Sequence, residues 1–295
     1  MNNNNPDSMR ELRRHGDALL PIKQYCNEQV DGLLALDCHW HGEMELFCVT
    51  QGAVTMQCGT RIFEARTGDI AFFNSGELHA AVPTEGTNAL SFRALVFSPE
   101  LFCAAANDIL RVKYINPVIN GELLLPTLIE NGTSLHGLIF GLFNEIYDLL
   151  ESQPELFEFS VKADMLKLFS VLVRHGRAFE STSRRSSAAA NIKSSIQYIL
   201  DNYRTPITVE KLSEVAGMSE GHFCRTFKQY TLKTPIQFIN SIRLAHAAEQ
   251  LSGTDKRVLD IALDCGFNSV SYFIEVFRDN FNITPSRYRK NNGDS

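Results

Sequence analysis

No run of apolar residues in this chain approaches the roughly 18 that a membrane-spanning helix needs, so no transmembrane segment and no membrane partner is expected. The opening Met1-Asn-Asn-Asn-Asn5 has neither a basic stretch nor an apolar one and does not read as a secretory signal. Seven cysteines, at 26, 38, 48, 58, 103, 224 and 265, include no Cys-x-x-Cys pair, which argues against a disulfide framework and a thiolate zinc site. They fit small hydrophobes in a reducing cytoplasm, with a thiol switch at Cys38, Cys48 and Cys58 as a minor alternative. Positive charge is also scarce: 28 Lys and Arg stand against 34 Asp and Glu, a net of −6. The deficit is uneven, with 15 basic against 23 acidic residues over 1–190 but 13 against 11 over 191–295. A nucleic-acid binder needs its positive charge near phosphate, and the only basic balance lies in the last hundred or so residues. At 295 residues, 44% hydrophobic and 21% charged, the chain has the length and composition of about two soluble globular domains.

That basic portion contains one helical pattern twice. Aligned on Gly217 and Gly266, each copy has a short apolar-periodic helix with a small residue (Ala216, Ala262), a Gly at a sharp turn, and a Ser (Ser219, Ser269) where the next helix starts. Each then ends in Phe-x-x-x-Phe and a base: Phe223, Phe227, Lys228 and Phe273, Phe277, Arg278. Gly tolerates the positive φ of the turn, a small residue lets two helices cross closely, and Ser accepts a hydrogen bond from the orphan N–H groups of the second helix. The Phe pair faces inward and leaves the opposite helix face free for a major groove. Between the copies, residues 234–251 carry Pro235 at an expected first helical position and apolar residues at helical spacing, a rod of about 27 Å. This is comparable with the roughly 34 Å between major-groove windows on one face of a duplex.

Residues 190–290 resemble the DNA-binding domain of the AraC family of bacterial transcription regulators. The resemblance is carried by Ile261-Ala-x-x-x-Gly-Phe-x-Ser-x-Ser-Tyr-Phe-x-x-x-Phe277 and by the closing Thr284-Pro-Ser-x-Tyr-Arg289. It implies contacts to bases or phosphates from Gly221, Cys224 and Arg225. From the helical spacing, Ser219, Glu220, Gly221, Cys224, Arg225 and Lys228 are the groove-facing candidates of the first copy, and Ser269, Val270, Ser271, Ile274 and Glu275 those of the second. Arg225 is the strongest base reader, because a guanidinium bridges guanine O6 and N7. Gly221 and Glu275 depart from the family, whose members often carry a large side chain and a base there.

Upstream, the chain from Leu33 to about Phe97 breaks into short apolar or alternating runs punctuated by Gly52, Gly59, Gly68 and Gly76, as in a small antiparallel barrel or jelly roll. Within it, His39-x-His41-x-x-x-Glu45 followed by Gly52 resembles the first cupin motif. Gly68, Asn74, Gly76 and His79 resemble the second, with Asn74 and Pro83 standing where the pattern has Pro and Asn. Read as one strand, positions 39, 41 and 45 share a face pointing into the barrel, with His79 joining from a neighbour, and Trp40 points away to the outer layer. Three readings stay open for His39, His41, Glu45 and His79: effector-binding polar groups without a metal, first-shell ligands of a divalent metal, or hydrogen-bonded barrel residues with no ligand. No other cofactor is expected.

The expected fold is therefore α+β: a flexible N-terminal arm over 1–20, a cupin-like antiparallel β-barrel over 21–100 with flanking helices over 101–176, a small, polar linker over 177–190, and an all-α domain with two helix-turn-helix motifs over 191–290. A helix from about Asn191 to Asn202 opens that last domain. Amphipathic helices at 135–150 and 155–173 resemble the family's dimerisation element, and pattern alone equally allows them merely to close their own barrel. The resemblance implies a cytoplasmic, non-enzymatic, homodimeric regulator of transcription, in most relatives an activator that works with RNA polymerase. Its partners would be double-stranded DNA and a small effector, by family habit a sugar. The alternative is a metal-dependent cupin enzyme carrying a DNA-binding tail.

Overall fold

The computed structural model describes residues 16–17, 19–30, 36–84, 86–87, 89–103, 107–178 and 183–292. Most of the expected arm, Leu33 and residues 179–182 of the expected linker lie outside the described residues. Two compact units divide between Arg185 and Ser186.

The first unit opens with eight strands: β1 (Ile22–Val30), β2 (Leu36–His39), β3 (Met44–Gln51), β4 (Ala53–Cys58), β5 (Arg61–Arg66), β6 (Ile70–Phe73), β7 (His79–Pro83) and β8 (Ala89–Phe97). A helical stretch ending in α1 (Asn116–Ile119), the short strands β9 (Leu123–Leu124) and β10 (Leu128–Ile129), the long helices α2 (Ser134–Ser152) and α3 (Phe157–Arg174), and β11 (Arg177–Ala178) complete it. The strands form a five-stranded sheet in the order β1-β8-β3-β6-β10 and a four-stranded sheet in the order β2-β7-β4-β5. Pairing is antiparallel throughout these two sheets. Every expected glycine turn is found, each of the four glycines having a positive φ. β1 was not marked by the apolar pattern, being polar in sequence, and it pairs along its length with β8.

Strand parity explains how the sheets stack. On β3, Met44, Leu46 and Cys48 belong to one core with residues of α2 and α3, whereas Phe47 and Val49 belong to a second core inside the barrel with Val54, Met56 and Phe92. Both faces of β3 are thus covered, so it reads as a continuous buried run rather than an alternating one. α2 and α3 spend their apolar faces on this sheet: Ile139, Phe143 and Ile146, with Val161, Met165 and Leu172, are essentially inaccessible. Leu138, Phe159 and Leu166 remain exposed on the same two helices.

The second unit is helical: α4 (Ser183–Asn202), α5 (Val209–Val215), α6 (Glu220–Thr231), α7 (Pro235–Gly253), α8 (Val258–Asp264), α9 (Val270–Phe281) and α10 (Pro285–Asn292). α4 starts eight residues ahead of the expected Asn191, so 183–190 of the expected linker are helical. Ser and Ala are tolerated inside a helix, and the absence of Gly or Pro leaves nothing there to stop it. The duplication also needs a change of register. The buried counterpart of Ala262 is Ser213, four residues before its glycine, and that of Ala216 is Cys265. The second turn is one residue longer, with buried Phe267 filling it.

α7 is the spine, with Pro235 at its start and a capping box between Thr234 and Gln237. Phe238 meets Phe227 of α6 edge-on at 5.1 Å, and Leu244, Ala247 and Leu251 pack with Ile261, Phe273 and Phe277 of α8 and α9. Arg243 donates to the carbonyls of Tyr203 (2.8 Å) and Thr205 (2.9 Å), clasping the chain after α4. Arg289 donates to the carbonyls of Leu251 and Lys256 at the other end of α7, so this residue of the tail motif is structural.

Gly217 and Gly266 both have positive φ, +62° and +87°, but a Cβ at Gly266 would meet the Tyr203 carbonyl oxygen at 2.5 Å, whereas one at Gly217 meets nothing within 4 Å. We therefore expect Gly217→Ala to cost about 1–2 kcal/mol from backbone strain alone. Gly266→Ala should lower the thermal midpoint measurably further, as read by calorimetry on the full chain; equal losses would show that Tyr203 gives way freely.

Candidate nucleic-acid interface and barrel site

On α6, Phe223, Thr226, Phe227 and Tyr230 are buried, and Ser219, Glu220, Gly221, Arg225 and Lys228 are exposed, with Cys224 half-buried. The structure thus brings all six candidates of the first copy to the outside of one helix-turn-helix. Ser219 does not act as the expected cap: its side chain makes no hydrogen bond to the helix, leaving the orphan amides there unmet by it. In this family of geometries such amides suit a phosphate oxygen. Gly221 has a further consequence: a Cβ there would lie 3.7 Å from Arg225 Nη1, so the guanidinium folds back beside the bare backbone. His222 and Gln229, both exposed, extend the stripe through Arg225 at helical spacing and lie outside the set expected from the sequence.

α9 exposes a different chemistry. Phe273 and Phe277 are buried, Ser269, Ser271, Ile274 and Glu275 are exposed, and Val270 is half-buried. Here Ser269 does cap the helix, accepting from the Tyr272 amide at 3.3 Å. Tyr272 is held by Asn240 of α7, whose Nδ2 donates to its hydroxyl at 2.8 Å. The face therefore offers apolar groups suited to a thymine methyl and a carboxylate suited to cytosine N4, where α6 offers cations suited to guanine and phosphate.

In the barrel, His39, His41, Glu45 and His79 converge, their ligand atoms all within 4.8 Å of one another. They do so by a different route from the single strand expected. His39 ends β2 opposite His79 at the start of β7, His41 sits in the connection to β3, and Glu45 shares the inward face of β3 with Phe47. The loop before His79 is laced to that connection: Gly76 N–H donates to the His41 carbonyl (2.7 Å) and Ser75 Oγ to that of Gly42 (2.6 Å). Asn74, the departure from the cupin pattern, donates through Nδ2 to the Val118 carbonyl at 2.6 Å, tying the end of β6 to α1. Phe73 stacks on His79 with ring centroids 4.4 Å apart. Glu45 Oε2 lies 3.2 Å from His41 Nε2 and 3.4 Å from His79 Nε2. Burial pushes the Glu45 carboxyl up, but the imidazoles of His41 and His79 outweigh it and hold the group well below the usual carboxylate range. Trp40 is buried. Cys38, Cys48 and Cys58 are buried too, and burial pushes the Cys48 thiol up to about 11, a protonated and unreactive state at neutral pH.

A sensing barrel followed by paired reading helices on a shared spine defines a ligand-responsive DNA-binding regulator. An AraC-like ligand binding domain matches residues 35–169 and a helix-turn-helix domain matches residues 212–291. The chain is similar to the HTH-type transcriptional regulator YdeC of Bacillus subtilis, 26% identical over 288 residues and 97% of each chain. It is also similar to the multiple antibiotic resistance protein MarA of Escherichia coli, 34% identical over 110 residues, 37% of this chain and 87% of that protein. The transcriptional activator RhaS of Mannheimia succiniciproducens is 35% identical over 94 residues, 32% of this chain and 35% of that one. The chain belongs to the AraC family of transcriptional regulators. No helix among the described residues is long and apolar enough to cross a membrane.

Two substitutions separate the reading helices. Arg225→Ala should cost about 1–3 kcal/mol at one guanine-containing position of the preferred site and relax selection there. Glu275→Arg should raise affinity for unrelated duplex and steepen the slope of log K against log salt by about one. Fluorescence anisotropy across a salt titration checks both, and an unchanged slope for Glu275→Arg would put that side chain outside the groove.

Proposed function

We propose that this regulator is an activator that sits on its operator as a homodimer, recruits RNA polymerase from there, and changes occupancy or geometry when a small effector enters the barrel in the cytoplasm. The observation that carries the DNA reading is the exposure of Arg225 and Lys228 opposite the buried Phe223 and Phe227, on a helix whose placement is fixed by α7. RhaS, an activator by name, supports the sign. The dimer is supported by Leu138, Phe159 and Leu166, apolar side chains left exposed on α2 and α3 after those helices have covered their sheet. An effector acts only by favouring one arrangement of the protein over another, so the barrel serves as a sensor.

The buried His/Glu set also favours a second reading, a metal-dependent cupin enzyme. Three of its four residues are buried, and the ligand atoms crowd one another, which suits retention of a ligand better than turnover of a substrate.

Selection from a random duplex library with the full chain, followed by anisotropy at rising salt, tests the proposal. We expect an enriched site with two elements about one helical turn apart and binding that weakens steeply with salt. No enrichment, with no salt-sensitive binding, would refute it. Sedimentation at micromolar concentration should give a dimer, and Phe159→Glu should give a monomer; a monomeric parent chain removes the dimer. Multiple turnover by the isolated protein with bound iron or manganese would favour the enzyme.

A further inference from the structure

Outside the barrel, the first unit holds a hollow of about 360 Å³ between the last turns of α3 and the helical stretch that precedes α1. That volume falls within the roughly 300–1,000 Å³ of small-molecule sites. Leu110 and Leu166 supply aliphatic wall, and Phe102, Tyr114 and Phe169 supply rings, with Phe102 and Phe169 stacked at 4.6 Å. An uncommon turn shapes one side. Arg111–Ile115 winds as a π-helix, in which the Asn116 N–H donates to the Arg111 carbonyl, and it runs directly into α1. Pro117 has no N–H to return to the Lys113 carbonyl and its ring crowds that oxygen, so tighter winding is resisted there. Single π turns recur at functional sites, and this one puts Tyr114 on the wall of the hollow.

The free polar groups of the hollow are matched to an anion. Among the described residues, the Tyr114 hydroxyl and the Arg174 guanidinium hydrogen-bond to no protein group, and Arg174 has no carboxylate partner. Ser170, by contrast, already donates its hydroxyl to the Lys167 carbonyl at 2.7 Å. A guanidinium offers donors alone, in a fork that fits the two oxygens of a carboxylate, and the phenol adds an O–H. Lys113 stands 5.4 Å over the Tyr114 ring and brings a second cation to the same side. The acids of this stretch are engaged elsewhere: Glu100 pairs with Arg111 at 3.4 Å, and Asp108 accepts from the Leu110 N–H at 2.7 Å. Two cations beside an apolar hollow stand out in residues 1–190, where 15 basic residues face 23 acidic ones.

We propose that this hollow is a small-molecule site separate from the barrel interior, and that it takes an apolar monocarboxylate. The apolar body lies among Phe102, Phe169 and Leu166, and the carboxylate accepts from Arg174 and Tyr114. The site does not depend on what the barrel interior holds. Leu166 also belongs to the exposed apolar set that supports the dimer, so a second copy is the competing occupant. Arg174 has a competing role as well, since a cation in the last turn of a helix suits its dipole without any ligand.

Full-length protein is titrated calorimetrically with naphthalene-2-carboxylate, with 2-naphthylmethanol as the uncharged control. We expect saturable binding at one equivalent per chain, about tenfold tighter for the carboxylate than for the alcohol. It should weaken with salt, which screens the exposed Arg174. Arg174→Gln should remove the preference for the acid, and Arg174→Lys should restore part of it. Ser170→Trp, which fills the hollow from an exposed position, should abolish uptake. No saturable binding by about 1 mM carboxylate, equal binding of the alcohol, or binding unaltered in both Arg174→Gln and Ser170→Trp overturns the proposal. A lowered thermal midpoint for Arg174→Gln with an unchanged titration would leave that residue its dipole role only and defeat the assignment. Uptake confined to the monomeric Phe159→Glu variant would give the hollow to the partner copy and defeat it too. The comparison of acid with alcohol on the parent chain stands even where a variant fails to fold.

Discussion

The DNA-binding unit depends on α7 having almost no face it can expose. Its buried side chains run from Pro235 to Leu251 and lie all around the helix, among them Phe238, Ile242, Leu244, His246 and Ala247. A helix buried in this way belongs to two packing partners at once. On one side Phe238 closes on Phe227; on the other Leu244 and Ala247 close on Phe273 and Phe277. Rotating α6 relative to α9 would require uncovering several of these side chains, each stabilised by about 1.5–3 kcal/mol when fully buried. The two reading helices are consequently held as one rigid reader along a rod of about 28 Å. Arg243 extends this rigidity to the end of α4 by donating to the carbonyls of Tyr203 and Thr205, and the same Tyr203 that it clasps stacks on His246 of α7 at 4.2 Å.

A comparable constraint organises the barrel. β3 must satisfy two cores, so its side chains alternate between helices and barrel interior, and Glu45 falls on the interior face by parity alone. A carboxylate placed there is costly unless something compensates it. The compensating groups come from β2, its connection to β3, and β7, which is why the loop before His79 is hydrogen-bonded to the loop after His39. The polar cluster and the barrel closure are the same feature seen at two scales.

What the sequence made legible follows from where local rules were sufficient. The helix pairs were readable because Gly217, Gly266, the Phe pairs and Pro235 each act within a few residues. The glycine turns of the barrel were readable for the same reason. What escaped depended on contacts distant in sequence. β1 is polar and pairs along its length with β8, some 65 residues later. The convergence of His39, His41 and Glu45 was anticipated, but from a straight strand; the chain actually turns after His39, a bend stabilised by Ser75 and Gly76. Small-residue matching between the two repeats failed for a related reason, since Ala216 and Ala262 look equivalent in composition but only Ser213 occupies the crossing point that Ala262 does. α4 starts earlier than polarity suggests, because small polar residues read as a linker while nothing in 183–190 opposes a helix.

The two repeats share a scaffold and not a chemistry. α6 presents Arg225 and Lys228, while α9 presents Val270, Ile274 and Glu275. In a chain of net charge −6, attraction to phosphate must be concentrated where it helps, and α6 exposes both Arg225 and Lys228, whereas α9 exposes Arg278 with Asp279 beside it at 3.8 Å. A carboxylate in a groove is repelled by every phosphate it approaches and compensated only by a base that donates to it, and Glu275 is an exposed carboxylate of α9. Ile274, exposed beside it, is apolar, a surface suited to a thymine methyl and not to phosphate. With α6 and α9 both packed on α7, the cations of the first and the mixed apolar and acidic face of the second are carried on one scaffold.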